Sequence, residues 1–149
     1  KAIAFKEALE PEFKIYCNNI VSNSKVLADE LKSKGYDLVS NGTDTHLVLI
    51  DLTKMEVSGK NAEHALEKAG ITTNKNAIPF DPLPPSVASG IRIGTPGITT
   101  RGMKEDEVRQ IGELISKVLL NYDNEALLET CKKEVNDLCV RFPIYTNLL

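Results

Sequence analysis

Hydrophobic positions recur at three- and four-residue steps over Phe13, Tyr16, Ile20, Leu27 and Leu31, apart from one wider gap. That spacing predicts an amphipathic helix of several turns. Glu10-Pro11-Glu12 before it reads as a helix start, with proline early and acids at the positive end, and Gly35 supplies the stop. Ahead of it, Ala2, Ile3, Phe5, Ala8 and Leu9 form an apolar pattern that begins at once, with no start signal. Residues 1–9 therefore read as the end of a helix that Pro11 interrupts.

Tyr36 to Val39 is a short strand candidate, and Asn41-Gly42 marks a turn. His46-Leu47-Val48-Leu49-Ile50-Asp51-Leu52 is the most apolar run and predicts a buried central strand. Ser58 is placed to cap a helix reaching about Ala69, with Ala62, Ala65, Leu66 and Ala69 as a narrow face; Gly70 ends it. Ile71-Thr72-Thr73 reads as a short extended piece. Residues 74–88 hold Pro79, Pro82, Pro84 and Pro85, so this loop cannot be helical and is stiffened into one path. Loops of that length in compact domains are functional or disordered, and the fixed dihedrals favour function. Ile91 and Ile93 mark a further strand. Two helices follow, one with Val108, Ile111, Ile115 and Val118 on a face, the other with Leu127, Cys131, Val135 and Leu138, ending near Phe142-Pro143. The expected architecture is α+β, with three or four short strands and helices packed on one side.

Composition narrows this picture only slightly. The chain has 149 residues, 42 % hydrophobic and 26 % charged, and carries a net charge of −3, as an ordinary globular domain does. With no basic tract, nucleic acid is not an expected partner. No apolar run reaches the roughly 18 residues a membrane span needs, and no signal peptide is visible. Cys17, Cys131 and Cys139 have no metal-ligand spacing, so no metal site is expected. They read as reduced core thiols, which points to a reducing compartment, the cytoplasm by default.

Candidate chemistry centres on Arg92. Strand alternation puts Ile91 and Ile93 on one face and Gly90, Arg92 and Gly94 on the other. Glycines on either side would leave the guanidinium in open space, where its planar fork matches a carboxylate. The plainer alternative is an edge arginine paired with a surface acid, or glycines that mark a bulge. Asn74-Lys75-Asn76 offers amides that suit a heteroaromatic ligand, or simply turn chemistry. His46 and His64 read as structural and solvated residues, and Asp51 as a cap at a strand end. No nucleotide-binding glycine loop, zinc motif or Cys-x-x-Cys is present, so catalysis by this chain alone has no visible engine.

These residues line up with a family. Ser89-Gly90-Ile91-Arg92-Ile93-Gly94-Thr95-Pro96 followed by Thr99-Thr100-Arg101-Gly102 resembles a signature of serine hydroxymethyltransferase. So do Gly42-Thr43-Asp44-Thr45-His46-Leu47 and Ile71-Thr72-Thr73-Asn74-Lys75-Asn76-Ala77-Ile78-Pro79, together with Lys6-Glu7-Ala8, Pro11-Glu12-Phe13 and Arg141-Phe142-Pro143. The resemblance implies a pyridoxal-phosphate enzyme that interconverts serine and tetrahydrofolate with glycine and methylenetetrahydrofolate. It implies the fold-type I, aspartate-aminotransferase-like architecture, of which this chain corresponds to the small C-terminal domain. On that reading residues 1–10 end a helix linking from a missing N-terminal cofactor domain, and 11–149 form the small domain.

By resemblance, Arg92 grips the α-carboxylate of serine or glycine, Asn76 contacts the folate pterin, and Pro84, Pro85 and Ser86 fall among further folate contacts. The family pattern at the last three is serine, proline, aromatic, so Ser86 stands where an aromatic is expected. The family's Schiff-base lysine follows a run of threonines and a histidine, and no such run occurs in these residues. No catalytic residue is therefore expected here. The chain alone should be inert and without bound pyridoxal phosphate, with a partly apolar face where a cofactor domain would sit, and the full-length enzyme should be a homodimer or homotetramer. A free-standing amino-acid-binding module is the alternative.

Overall fold

The computed structural model describes residues 1–144, so residues 145–149 of the expected 11–149 domain lie outside the described residues. Helix α1 (Ala2–Glu7) is followed by α2 (Pro11–Ser33), with Pro11 at the first helical turn as its neighbours predict. Gly35, at φ +86°, turns the chain into β1 (Asp37–Leu38). Strand β2 (Leu47–Asp51), helix α3 (Gly59–Lys68), β3 (Asn74–Asn76) and β4 (Gly90–Gly94) come next. Helices α4 (Pro96–Thr100), α5 (Glu105–Leu119) and α6 (Glu125–Arg141) complete the described chain.

The strands form one antiparallel sheet in the order β1-β2-β4-β3. The expected α+β architecture is what the structure shows. Val48, Ile50, Ile91 and Ile93 point to one face and are buried against α2, α3 and α5 with Leu27, Leu31, Leu66 and Ile115. Each such fully buried side chain contributes about 1.5–3 kcal/mol by leaving water. The narrow face of α3 is confirmed: Ala62, Ala65, Leu66 and Ala69 are all buried, and the Ser58 hydroxyl accepts the Asn61 N–H at 3.3 Å.

Three expectations need correction. Asn74-Lys75-Asn76 is neither a turn nor part of the loop but the edge strand β3. Glu63 of α3 holds that strand in place, because its carboxylate accepts both the backbone N–H and the Nζ of Lys75 at 3.0 Å. These two bonds also explain why the Glu63 carboxyl titrates below its ordinary range, the backbone bond weighing most. Helix α4, unforeseen, follows the arginine strand directly. Only Cys131 is a core thiol; Cys17 and Cys139 are half-buried.

The start of the chain keeps its apolar pattern without a core to serve. Ile3, Phe5, Leu9 and Ile15 are 61–86 % exposed, and every residue of α1 faces solvent among the described residues. No helix among the described residues is long and apolar enough to cross a membrane.

Candidate functional site

Strand β4 is central, hydrogen-bonded to β2 on one side and β3 on the other. Arg92 projects from its outer face, directly opposite Leu49 of β2 and Asn74 of β3. The other three arginines of the chain all have partners. Arg101 donates to the carbonyls of Cys139 and Phe142, Arg109 lies by Glu30, and Arg141 donates to Gln110. Arg92 is exposed and enters no ion pair among the described residues. An edge arginine paired to a surface acid is therefore not what the strand presents.

The glycines beside it do different work from the one expected. A Cβ on Gly90 would lie 2.7 Å from Ile78 Cγ2 and 2.8 Å from the Asn76 carbonyl, so Gly90 is bare because Ile78 lies across it. Only Gly94 is open, with its nearest neighbour, Leu47, at 3.4 Å. The open space around the guanidinium extends instead over the sheet's outer face, towards Leu47 and Leu49. A cleft of about 500 Å³ runs there, floored by Leu47 and Leu49 and containing both Arg92 and Asn76.

The far lip of the cleft is the turn from Val39 to Thr45. Ser40 and Asn41 sit consecutively at φ 60° and 55°, where polar short side chains are tolerated best. Thr43 Oγ1 donates to the Leu47 carbonyl at 2.6 Å and accepts the Thr45 N–H at 3.1 Å, which folds the turn back over β2. Asp44 and Thr45 thereby line the same cleft as Arg92. None of Ser40, Asp44 and Thr45 was singled out as a site residue from the sequence. The signal available was the Gly42–Leu47 motif, which carried a resemblance but no stated chemistry.

Asn76 is oriented by its own chain, its amide donating to the Ala77 carbonyl at 2.7 Å. Pro84, Pro85 and Ser86 do not line the cleft; they are exposed on the loop between β3 and β4. That loop is organised by Asp81. Its carboxylate accepts the backbone N–H groups of Ile78, Leu83 and Ser89 and the Ser89 hydroxyl, at 2.6–3.1 Å. Partial desolvation pushes the carboxyl up, but these four bonds outweigh it and hold its pKa at about 2. The loop also seats α3: the Val87 and Ala88 carbonyls accept the first free N–H groups of that helix, those of Lys60 and Gly59. Phe80 and Ala88 take positive φ, 59° and 57°, a conformation that costs a non-glycine residue about 1–3 kcal/mol.

Asp51 behaves as a cap, accepting the Thr53 N–H and hydroxyl at 2.8 and 2.6 Å. Thr95 is not part of the pocket: it is fully buried, and its hydroxyl donates to the Ile20 carbonyl.

Comparison with known families decides what this constellation belongs to. Residues 1–115 match the family model for serine hydroxymethyltransferase. The chain belongs to that family. Serine hydroxymethyltransferases are pyridoxal-phosphate-dependent transferases acting on serine, glycine and folate, and the match covers the arginine strand, the Asn76 strand and the lip of the cleft. The residues around Arg92 do not by themselves make a seat for pyridoxal phosphate. No lysine lines the cleft to form an imine, and no aromatic ring or histidine lines it to stack on the pyridine.

Proposed function

We propose that this chain is the substrate-reading domain of a serine hydroxymethyltransferase, which interconverts serine and tetrahydrofolate with glycine and methylenetetrahydrofolate. Arg92 binds the α-carboxylate of serine or glycine through two parallel hydrogen bonds, and Asn76, in the same cleft, meets the folate. One observation carries the reading: Arg92 stands on the central strand, exposed and without an ion-pair partner among the described residues, facing a cleft it shares with Asn76. A guanidinium held open in this way is a receptor for an anion that arrives from outside.

The chemistry on pyridoxal phosphate belongs to residues outside this cleft, supplied by a cofactor-holding segment that packs against the domain. Ile3, Phe5, Leu9 and Ile15 offer an apolar surface for such a segment. This domain binds and orients; it does not form the imine.

The test is Arg92→Lys in the complete pyridoxal-phosphate-loaded enzyme. Loss of one charge-assisted hydrogen bond, about 1.5–3 kcal/mol, should raise the Michaelis constant for serine roughly 10- to 100-fold. An unchanged constant overturns the carboxylate role.

A second reading is a free-standing amino-acid-binding module. It is favoured by one feature, the presence of both Asp44 and Arg92 in the lining of the cleft, an acid for an ammonium and a base for a carboxylate. Calorimetry on this chain separates the two. Micromolar binding of glycine supports the module; weak or absent binding supports the domain, because an exposed arginine in water gains little from a carboxylate.

A further inference from the structure

Asn41 is the only asparagine in the chain that is followed by a glycine. The pair carries a chemistry of its own, because asparagine is thermolabile and glycine has no Cβ to keep its nitrogen from the neighbouring side chain. In this fold the pair is presented openly. Asn41 is exposed at the end of the short helical turn Val39–Asn41, and both it and Ser40 take positive φ. A Cβ built on Gly42 would meet nothing within 4 Å, so there is room for a ring to close at this nitrogen.

A positive charge sits on the peptide group that joins the two residues. Lys32 Nζ, from the last turn of α2, donates to the Asn41 carbonyl at 3.2 Å. That carbonyl and the Gly42 N–H belong to one amide. An ammonium at the oxygen therefore draws charge from the nitrogen and eases the loss of its proton. The same ammonium leaves the carbonyl carbon more open to attack by water.

We propose that Asn41-Gly42 is a site of spontaneous deamidation in the folded protein, which Lys32 accelerates and directs towards isoaspartate. The Gly42 nitrogen bonds to Asn41 Cγ, the Cγ–Nδ2 bond breaks, and ammonia leaves with the proton that the Gly42 nitrogen gives up. Water then adds to the Asn41 backbone carbonyl of the cyclic imide and breaks its bond to the Gly42 nitrogen. The chain now runs through Cγ, and the old backbone carbonyl has become a carboxylate. One water enters, one ammonia departs and nothing is oxidised or reduced. The added methylene and charge fall between Ser40 and Gly42, both of which line the cleft that holds Arg92.

The test ages the complete pyridoxal-phosphate-loaded enzyme in warm, mildly alkaline buffer and maps residues 39–47 by mass spectrometry. Enzymatic methylation of isoaspartyl carboxylates tells isoaspartate from aspartate. Asn41 should convert ahead of every other asparagine. Lys32→Gln should slow the conversion roughly two- to fivefold, the worth of one exposed charge contact, and lower the isoaspartate share. Lys32→Arg should keep both at the parent's values. In guanidinium, where Lys32 no longer meets Asn41, the parent and Lys32→Gln should convert at the same rate. Folded Lys32→Gln converting as fast as the parent, or faster, overturns the proposal. So does an Asn41 that stays intact in the folded enzyme and converts only in guanidinium, because the turn then protects it.

Discussion

The Thr95 hydroxyl donates to the carbonyl oxygen of Ile20 at 2.9 Å, across 75 residues of sequence. Thr95 lies three residues after Arg92, and the bond pins the end of the arginine strand to helix α2. Asn23 on that helix continues the tie, donating to the Thr99 hydroxyl at 2.9 Å and the Met103 carbonyl at 3.1 Å. The threonines that follow the arginine are therefore anchors for it, not walls of its pocket. Thr95→Val keeps the shape and removes the hydroxyl; it should lower stability by about 1 kcal/mol in urea denaturation. Asn23→Ala leaves a buried hydroxyl and a carbonyl without their donor and should cost more, about 1–3 kcal/mol.

Gly90 and Gly94 flank Arg92 symmetrically in sequence and differ in what they tolerate. Gly90→Ala drives a methyl to 2.7 Å from Ile78 and 3.0 Å from the Ile50 carbonyl, an overpacking that should cost about 1–3 kcal/mol. Gly94→Ala meets ordinary contact at 3.4 Å and should stay within about 0.5 kcal/mol of the parent. Thermal denaturation of the pair checks this; equal losses would mean Ile78 is free to move aside.

Asp81 makes a pH prediction. Its carboxyl is held at about 2, below the ordinary 3.8, so the folded state favours the charged form. The stability this gives is complete above pH about 4 and is lost as pH falls towards 2. In acid titrations monitored by denaturation, the parent should lose stability across that window. Asp81→Asn should be less stable at neutral pH and show a shallower loss. Equal slopes would show that Asp81 does not hold the loop.

Periodicity made most of the helices legible, because α2, α3, α5 and α6 each bury a stripe whose spacing is written in the chain. Strand β3 was hidden, since asparagine is rare in strands and it exists only because Glu63 and β4 hold it. Short α4 was hidden by proline and glycine in its first turn. Arg92 stood out from its alternation with isoleucines, yet the reason for Gly90 did not, because strand alternation says nothing of a loop residue laid across the face. The Asp81 bonds and the lip of the cleft were invisible for the same reason. Both depend on backbone groups brought together by the fold, and backbone groups leave no mark in a sequence.

Strand β4 has a neighbour on each side, and that decides how the arginine can take part in any movement. Its backbone amides are tied to β2 and β3 and should exchange only when the domain as a whole opens. The Cα of Arg92 is thus a fixed datum in its own domain. If the enzyme closes on its amino acid, the arginine cannot swing in on a hinged loop. On the function proposed above it would arrive by rigid-body travel of the whole sheet, so that the proposed grip on a carboxylate and the position of that sheet are one variable.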